Sequence, residues 1–160
     1  MLAAMSLRRR WAWLALLMPA TGLAAGDCAV SATPFNFGNY NPLDTLPRDS
    51  SSTLTVECSL IGLLSLSISY ELSLSTGSSG SYSLRTLSGP GDPLGYQLYA
   101  DAARLLVWGD GTAGTVTVSD SYLLGLTTVS RQYPVYGRLP AGQQVGSGSY
   151  IDSITVTLEF

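Results

Sequence analysis

The chain has 160 residues with eight basic and eleven acidic side chains, no histidine and, since every basic residue is arginine, no lysine. So few cations exclude a basic face for nucleic acid or an anionic membrane. The missing histidine and lysine exclude Ser-His-Asp, Cys-His, Ser-Lys and Schiff-base nucleophile systems.

Arg8, Arg9 and Arg10 precede an apolar run from Trp11 to Leu17 that extends through Met18 to Leu23, and the small residues Ala24, Ala25 and Gly26 follow. That layout predicts a secretory leader over residues 1–25, cleaved after Ala24 or Ala25. The alternative, a membrane anchor, needs about 20 apolar residues, and no basic stop follows this shorter run. One domain of ordinary size is then expected over residues 26–160. It meets the membrane only during export. Five arginines against eleven acids leave that domain a net charge of −6, which serves solubility.

Cys28 and Cys58 are the only cysteines. In an exported chain an even pair reads as a disulfide. A two-cysteine metal site is the alternative, with no histidine to complete it. A bridge would close a loop of about 30 residues and contribute roughly 3–4 kcal/mol in the chain-entropy model.

Strand signals fill the rest. Cys28 to Thr33 opens the first, Phe35 and Phe37 follow Pro34, and Asn39 to Asp49 reads as loop. Thr53 to Cys58 alternates, so a bridge would pin the first strand to this one. From Leu64 to Ser75 the alternation is strict: Leu64, Leu66, Ile68, Tyr70, Leu72 and Leu74 share one face, and serines with Glu71 the other. A turn at Thr76–Gly80, a short strand at Tyr82–Leu87, a break at Gly89–Pro93 and an alternating Leu94, Tyr96, Leu98 come next. Arg104–Trp108 and Thr115–Val118 flank Gly109-Asp110-Gly111, which predicts a hairpin turn. Tyr133, Val135 and Gly137 lead through Pro140 to the last stretch. There Ile154, Val156, Leu158 and Phe160 alternate with Thr155, Thr157 and Glu159, and no partner strand follows. An apolar strand edge left unpaired is a liability unless another chain covers it. Seven to nine short strands without helical periodicity predict an all-β sandwich of immunoglobulin type.

No catalytic motif emerges, and the chain is expected not to be an enzyme and to use no cofactor. The acids, among them Asp44, Asp49, Asp92, Asp110 and Asp120, read as turn formers. Gly109-Asp110-Gly111 lacks the further carboxylates of a calcium loop. Two apolar clusters fall where loops are expected: Leu60, Ile61, Leu63 and Leu64, and Tyr122, Leu123, Leu124 and Leu126. They read either as strand ends packed on the core or as exposed contact patches.

Ordered motifs then carry a resemblance: CAVSATPFNFGNY from Cys28, LYADAAR from Leu98, WGDGT from Trp108, YGRLPAGQ from Tyr136 and SYIDSITVTLEF from Ser149. Together they are similar to the spore coat protein U domain family, which includes subunits of archaic chaperone–usher pili, over Cys28 to Phe160. The resemblance implies a pilin-type sandwich, incomplete because its final strand is missing. It implies a periplasmic chaperone that lends a strand, an outer-membrane usher, and a neighbouring pilus subunit that replaces the loan. The place implied is the periplasm, then the surface, of a Gram-negative bacterium. By this analogy Ile154, Val156, Leu158 and Phe160 border the acceptor groove, and Cys28 and Cys58 match the family's disulfide.

One departure stands out. Polymerising subunits carry a strand-length extension ahead of the first cysteine, whereas cleavage here leaves only Ala25, Gly26 and Asp27 at most. The expected role is therefore a terminal, tip subunit, with Leu60, Ile61, Leu63 or Tyr122, Leu123, Leu124 as adhesive loops. The alternatives are a spore or cell-surface coat protein that forms no fibre, and a secreted carbohydrate-binding sandwich using Trp108.

Overall fold

The computed structural model describes residues 25–61 and 65–160. The expected leader, and Leu63 and Leu64 of the first apolar cluster, lie outside them. Within the described residues eight strands form two sheets. The larger sheet runs β1 (Ala25–Ala32), β2 (Arg48–Ile61), β7 (Val129–Leu139), β5 (Leu94–Tyr99), β4 (Arg85–Leu87). The smaller runs β6 (Val118–Leu124), β3 (Leu66–Leu74), β8 (Val156–Glu159). Every pairing of neighbours is antiparallel.

The inward faces are the alternating sets read from the sequence. Ile68, Tyr70, Leu72 and Leu74 of β3 meet Leu54 and Val56 of β2, Leu98 of β5 and Val135 and Leu139 of β7 in one buried core. Cys28 and Cys58 lie opposite each other in the β1–β2 register and are joined by a disulfide. The first edge strand is thus tied covalently to its neighbour.

One flank of the sandwich is closed. The Tyr70 and Tyr133 hydroxyls share a 2.6 Å hydrogen bond between the sheets, and Tyr133 donates another, also 2.6 Å, to Asp120 of β6. Burial, then these two partners, push the Tyr133 phenol well above its ordinary value. The segment around Trp108 also crosses between sheets, with Trp108 N–H on Leu98 O of β5 and Leu74 N–H of β3 on Gly109 O.

Two expectations are corrected here. No regular hairpin forms about Asp110. Its carboxylate accepts from both the N–H and the hydroxyl of Thr112, which curls the loop back on itself, and the bridge from Trp108 to Val116 is parallel. Trp108 is no sugar platform either. Its indole is wholly buried and its Nε1 donates to Leu72 O at 3.1 Å.

Candidate functional site: an open cleft between the sheets

The other flank is open. β8 pairs with β3 along one edge, and among the described residues its second edge pairs with no strand. Just ahead of β8, Thr155 O still accepts from Ser75 N–H beyond the end of β3, while Ile151 exchanges two hydrogen bonds with Ser88, at the end of β4 in the larger sheet. Across from it β1 is the edge of the larger sheet. Its pairing with β2 persists to Thr33, whose N–H reaches Thr53 O, and stops at Pro34, which has no N–H to give.

Between these edges lies a cleft of about 280 Å³. Ala32, Phe35 and Phe37 form one wall, Ile154 and Val156 the other, and Leu54, Leu74, Leu98 and Val135 the floor. The Phe35 and Phe37 rings pack against each other at a 52° tilt, centroids 4.9 Å apart, and lie over Gly137. A Cβ at residue 137 would collide with both rings, so glycine is required there. Ile154, Val156 and Leu158 face the core but are only half buried, whereas their counterparts in β3 are buried. What they lack is a neighbour on the cleft side.

The cleft contains one carboxylate, Asp152. Its Oδ1 accepts backbone N–H bonds from Ser78 and Ser153, both 2.8 Å, and its Oδ2 accepts the Tyr96 hydroxyl at 2.6 Å. Burial, then this hydrogen bond, raise the Tyr96 phenol far above its usual value. Behind this group Arg85 is wholly buried, with its guanidinium on the carbonyls of Ser75 and Trp108 and on the side-chain oxygen of Gln97. Burial pushes Arg85 below its normal value, and Tyr96, Tyr82 and Asp152 oppose that fall. The sequence reading missed Asp152, Tyr96 and Arg85 as partners. The available signal was Asp152 sitting immediately ahead of the alternating run.

Of the residues expected at the groove, Ile154 and Val156 line the cleft, Leu158 packs on the core beside it, and Phe160 is 62% exposed at the strand end. The apolar clusters divide. Leu60 is half buried against the core and Ile61 ends β2. Tyr122, Leu123 and Leu124 are not a loop: they belong to β6 and pair with Ile68, Ser67 and Leu66. Leu124 is wholly buried and is withdrawn as an adhesive residue, because period-two geometry turns it into the core. Leu123 points the opposite way, 69% exposed, and Leu126 beyond it is 75% exposed.

Two antiparallel sheets stacked face to face, closed along one flank and open along the other, define a pilin-like β-sandwich. The same fold is found in the crystal structure of a CsuC–CsuE chaperone–tip adhesion subunit pre-assembly complex from archaic chaperone–usher Csu pili of Acinetobacter baumannii, with a TM-score of 0.54 and 22% identity. That match covers 85% of this chain and 40% of the solved one, so this chain spans less than half of that neighbour. The Spore Coat Protein U domain model matches residues 15–157. Protein U of Myxococcus xanthus is 31% identical over 150 residues, covering 84% of this chain and 78% of that protein. The chain belongs to the Spore Coat Protein U domain family.

Proposed function

We propose that this protein is an exported structural subunit of a surface pilus, assembled by donor-strand complementation. A periplasmic chaperone would fill the cleft first, and a neighbouring subunit would replace it at an outer-membrane usher. The observation that carries this reading is the second edge of β8, unpaired among the described residues and standing beside an apolar cleft. An added strand would pair its backbone with that edge and place alternate side chains between the walls. No catalytic role is proposed, and the partners are proteins rather than nucleic acid.

Within a pilus the role proposed is terminal. Ala25–Ala32 are consumed in β1, paired residue by residue with β2, so this segment is not free to be donated. Exposed Leu123, with Leu126 beyond it, supports contact with a surface. A coat role without a fibre is the second reading, favoured by the family's description as a spore coat protein domain.

Expression of the full chain with and without a periplasmic chaperone of this assembly class tests the reading. A sharp rise in folded yield and a stable one-to-one complex are expected. A stable, soluble monomer that ignores the chaperone would overturn it. Leu123→Asp should weaken surface attachment without lowering export; unchanged attachment would remove the adhesive role.

A further inference from the structure

The strand-acceptor reading says that a strand enters the cleft, and the inference here rests on it while adding what that strand must carry. The walls and floor are apolar except around Asp152. A carboxylate accepts about four hydrogen bonds in all. Oδ1 of Asp152 is saturated by the N–H groups of Ser78 and Ser153, while Oδ2 accepts one bond, from Tyr96, among the described residues. In the open cleft water can serve the remaining acceptor position. A strand laid over the cleft removes that water. A wholly apolar strand would leave a charged oxygen short of a donor in a low-dielectric site, which is a costly arrangement.

The chemistry of the missing donor is constrained from two sides. Arg85 is a buried cation whose hydrogen-bond partners are all neutral oxygens, and the Asp152 charge acts on it. A cation carried by the strand would lose its hydration in an otherwise apolar cleft and would add to the positive charge of buried Arg85, whereas a hydroxyl supplies the one missing hydrogen bond at a much smaller desolvation cost. The turn at Gly77 closes off one side of the carboxylate, so a further donor has to come from the cleft. Gly77, at φ 67°, lies so close that a Cβ there would strike Asp152 Oδ2, and it would come within 2.9 Å of Ile154 Cδ1. We propose that the strand accepted by this cleft carries one small hydroxyl residue, serine or threonine, at the inward position facing Asp152, with aliphatic side chains at its other inward positions. Asp152 then sets the register in which the partner strand docks. A slip of two residues would place an aliphatic group against Oδ2 and the hydroxyl against Leu54 or Leu98.

The test extends the full chain beyond Phe160 with a flexible Gly-Ser linker and an alternating, valine-rich strand of eight residues. Each inward valine is replaced by serine in turn, and the folded-to-unfolded ratio is read from urea unfolding. At one position serine should raise that ratio about tenfold, the scale of one unsatisfied charged acceptor, and at the others it should lower it. In an Asp152→Asn background, which keeps the shape and removes the charge, the advantage at that position should shrink below threefold. A merely structural Asp152 would lower stability equally for every strand, so the shrinkage separates the two roles. Serine disfavoured at every position, or an advantage untouched by Asp152→Asn, would overturn the inference while leaving strand acceptance intact. If no appended strand stabilises the chain at all, the acceptor reading itself falls, and this inference with it.

Discussion

β3 and the segment from Ile154 to Phe160 are written in the same alternating code, yet the fold treats them differently. In β3 the inward Tyr70, Leu72 and Leu74 are 0–3% exposed. In the later segment Ile154, Val156 and Leu158 face the same core and remain half exposed. Both segments offer aliphatic side chains to the core. The difference is position in the sheet: among the described residues β3 has a strand on either side, β8 on one side only. Alternation states which face turns inward. Depth of burial is decided by the neighbours.

That contrast can be broken or sharpened by mutation, most usefully in the chain carrying an appended strand. Replacing Cys28 and Cys58 by serine should have the largest effect. The bridge closes a 30-residue separation and holds β1 as the wall opposite β8. Its loss should lower unfolding stability by about 3–4 kcal/mol, read by urea titration; a loss under a third of that would deny the bridge its structural role. Leu72→Ala should follow, at roughly 3 kcal/mol, because the side chain is fully buried between two paired strands. Val156→Ala should cost only about 0.8 kcal/mol while the cleft is open, about half the value of the two buried carbons removed. The same substitution should cost about twice as much once a strand is in place. Equal costs in the two states would mean that the cleft side of Val156 is not where the strand lies.

The smallest effect belongs to the outer face of the large sheet. Asp49 accepts two hydrogen bonds from Arg138, at 2.7 and 2.8 Å, and lies 3.4 Å from Arg104. The Arg138 bonds hold its carboxyl below the usual range, burial opposes them, and the charges of Arg104 and Arg138 assist. With a folded-state pKa depressed in this way, the stabilisation is present above the ordinary value of 3.8 and fades as pH falls through the folded value. Asp49→Asn should therefore cost about 0.2–1 kcal/mol at neutral pH, since the group is partly solvated. The gap between variant and parent should vanish in acid. A gap that persists there would assign the effect to packing.

Phe35, Phe37 and Asp152 show why the cleft was only partly legible in the sequence. In the sequence the two phenylalanines simply follow Pro34 among strand signals. Their role as a wall depends on Gly137, about 100 residues away, leaving room for both rings. Asp152 looked like one more acid ahead of a strand. Its meaning comes from Ser78 and Tyr96, separated from it by 74 and 56 residues. The buried Arg85 carried no local mark, because its partners are backbone oxygens and one amide supplied by other strands. For Leu124 the sequence leaves a packed strand end and an exposed patch both open, and only its pairing with Leu66 and its full burial decide for the strand end.

By itself the sequence determined the class of fold, the inward face of most strands, the cysteine pair, the acidic charge and the family to which the chain belongs. These follow from periodicity, composition and short motifs, which act over a few residues and survive without knowledge of neighbours. Tertiary structure alone decided which strand edges were used up and which stayed open, and what the one carboxylate of the cleft touches. Those depend on contacts between segments far apart in the chain, where a hydrogen bond or a collision is settled only once the sheets are stacked.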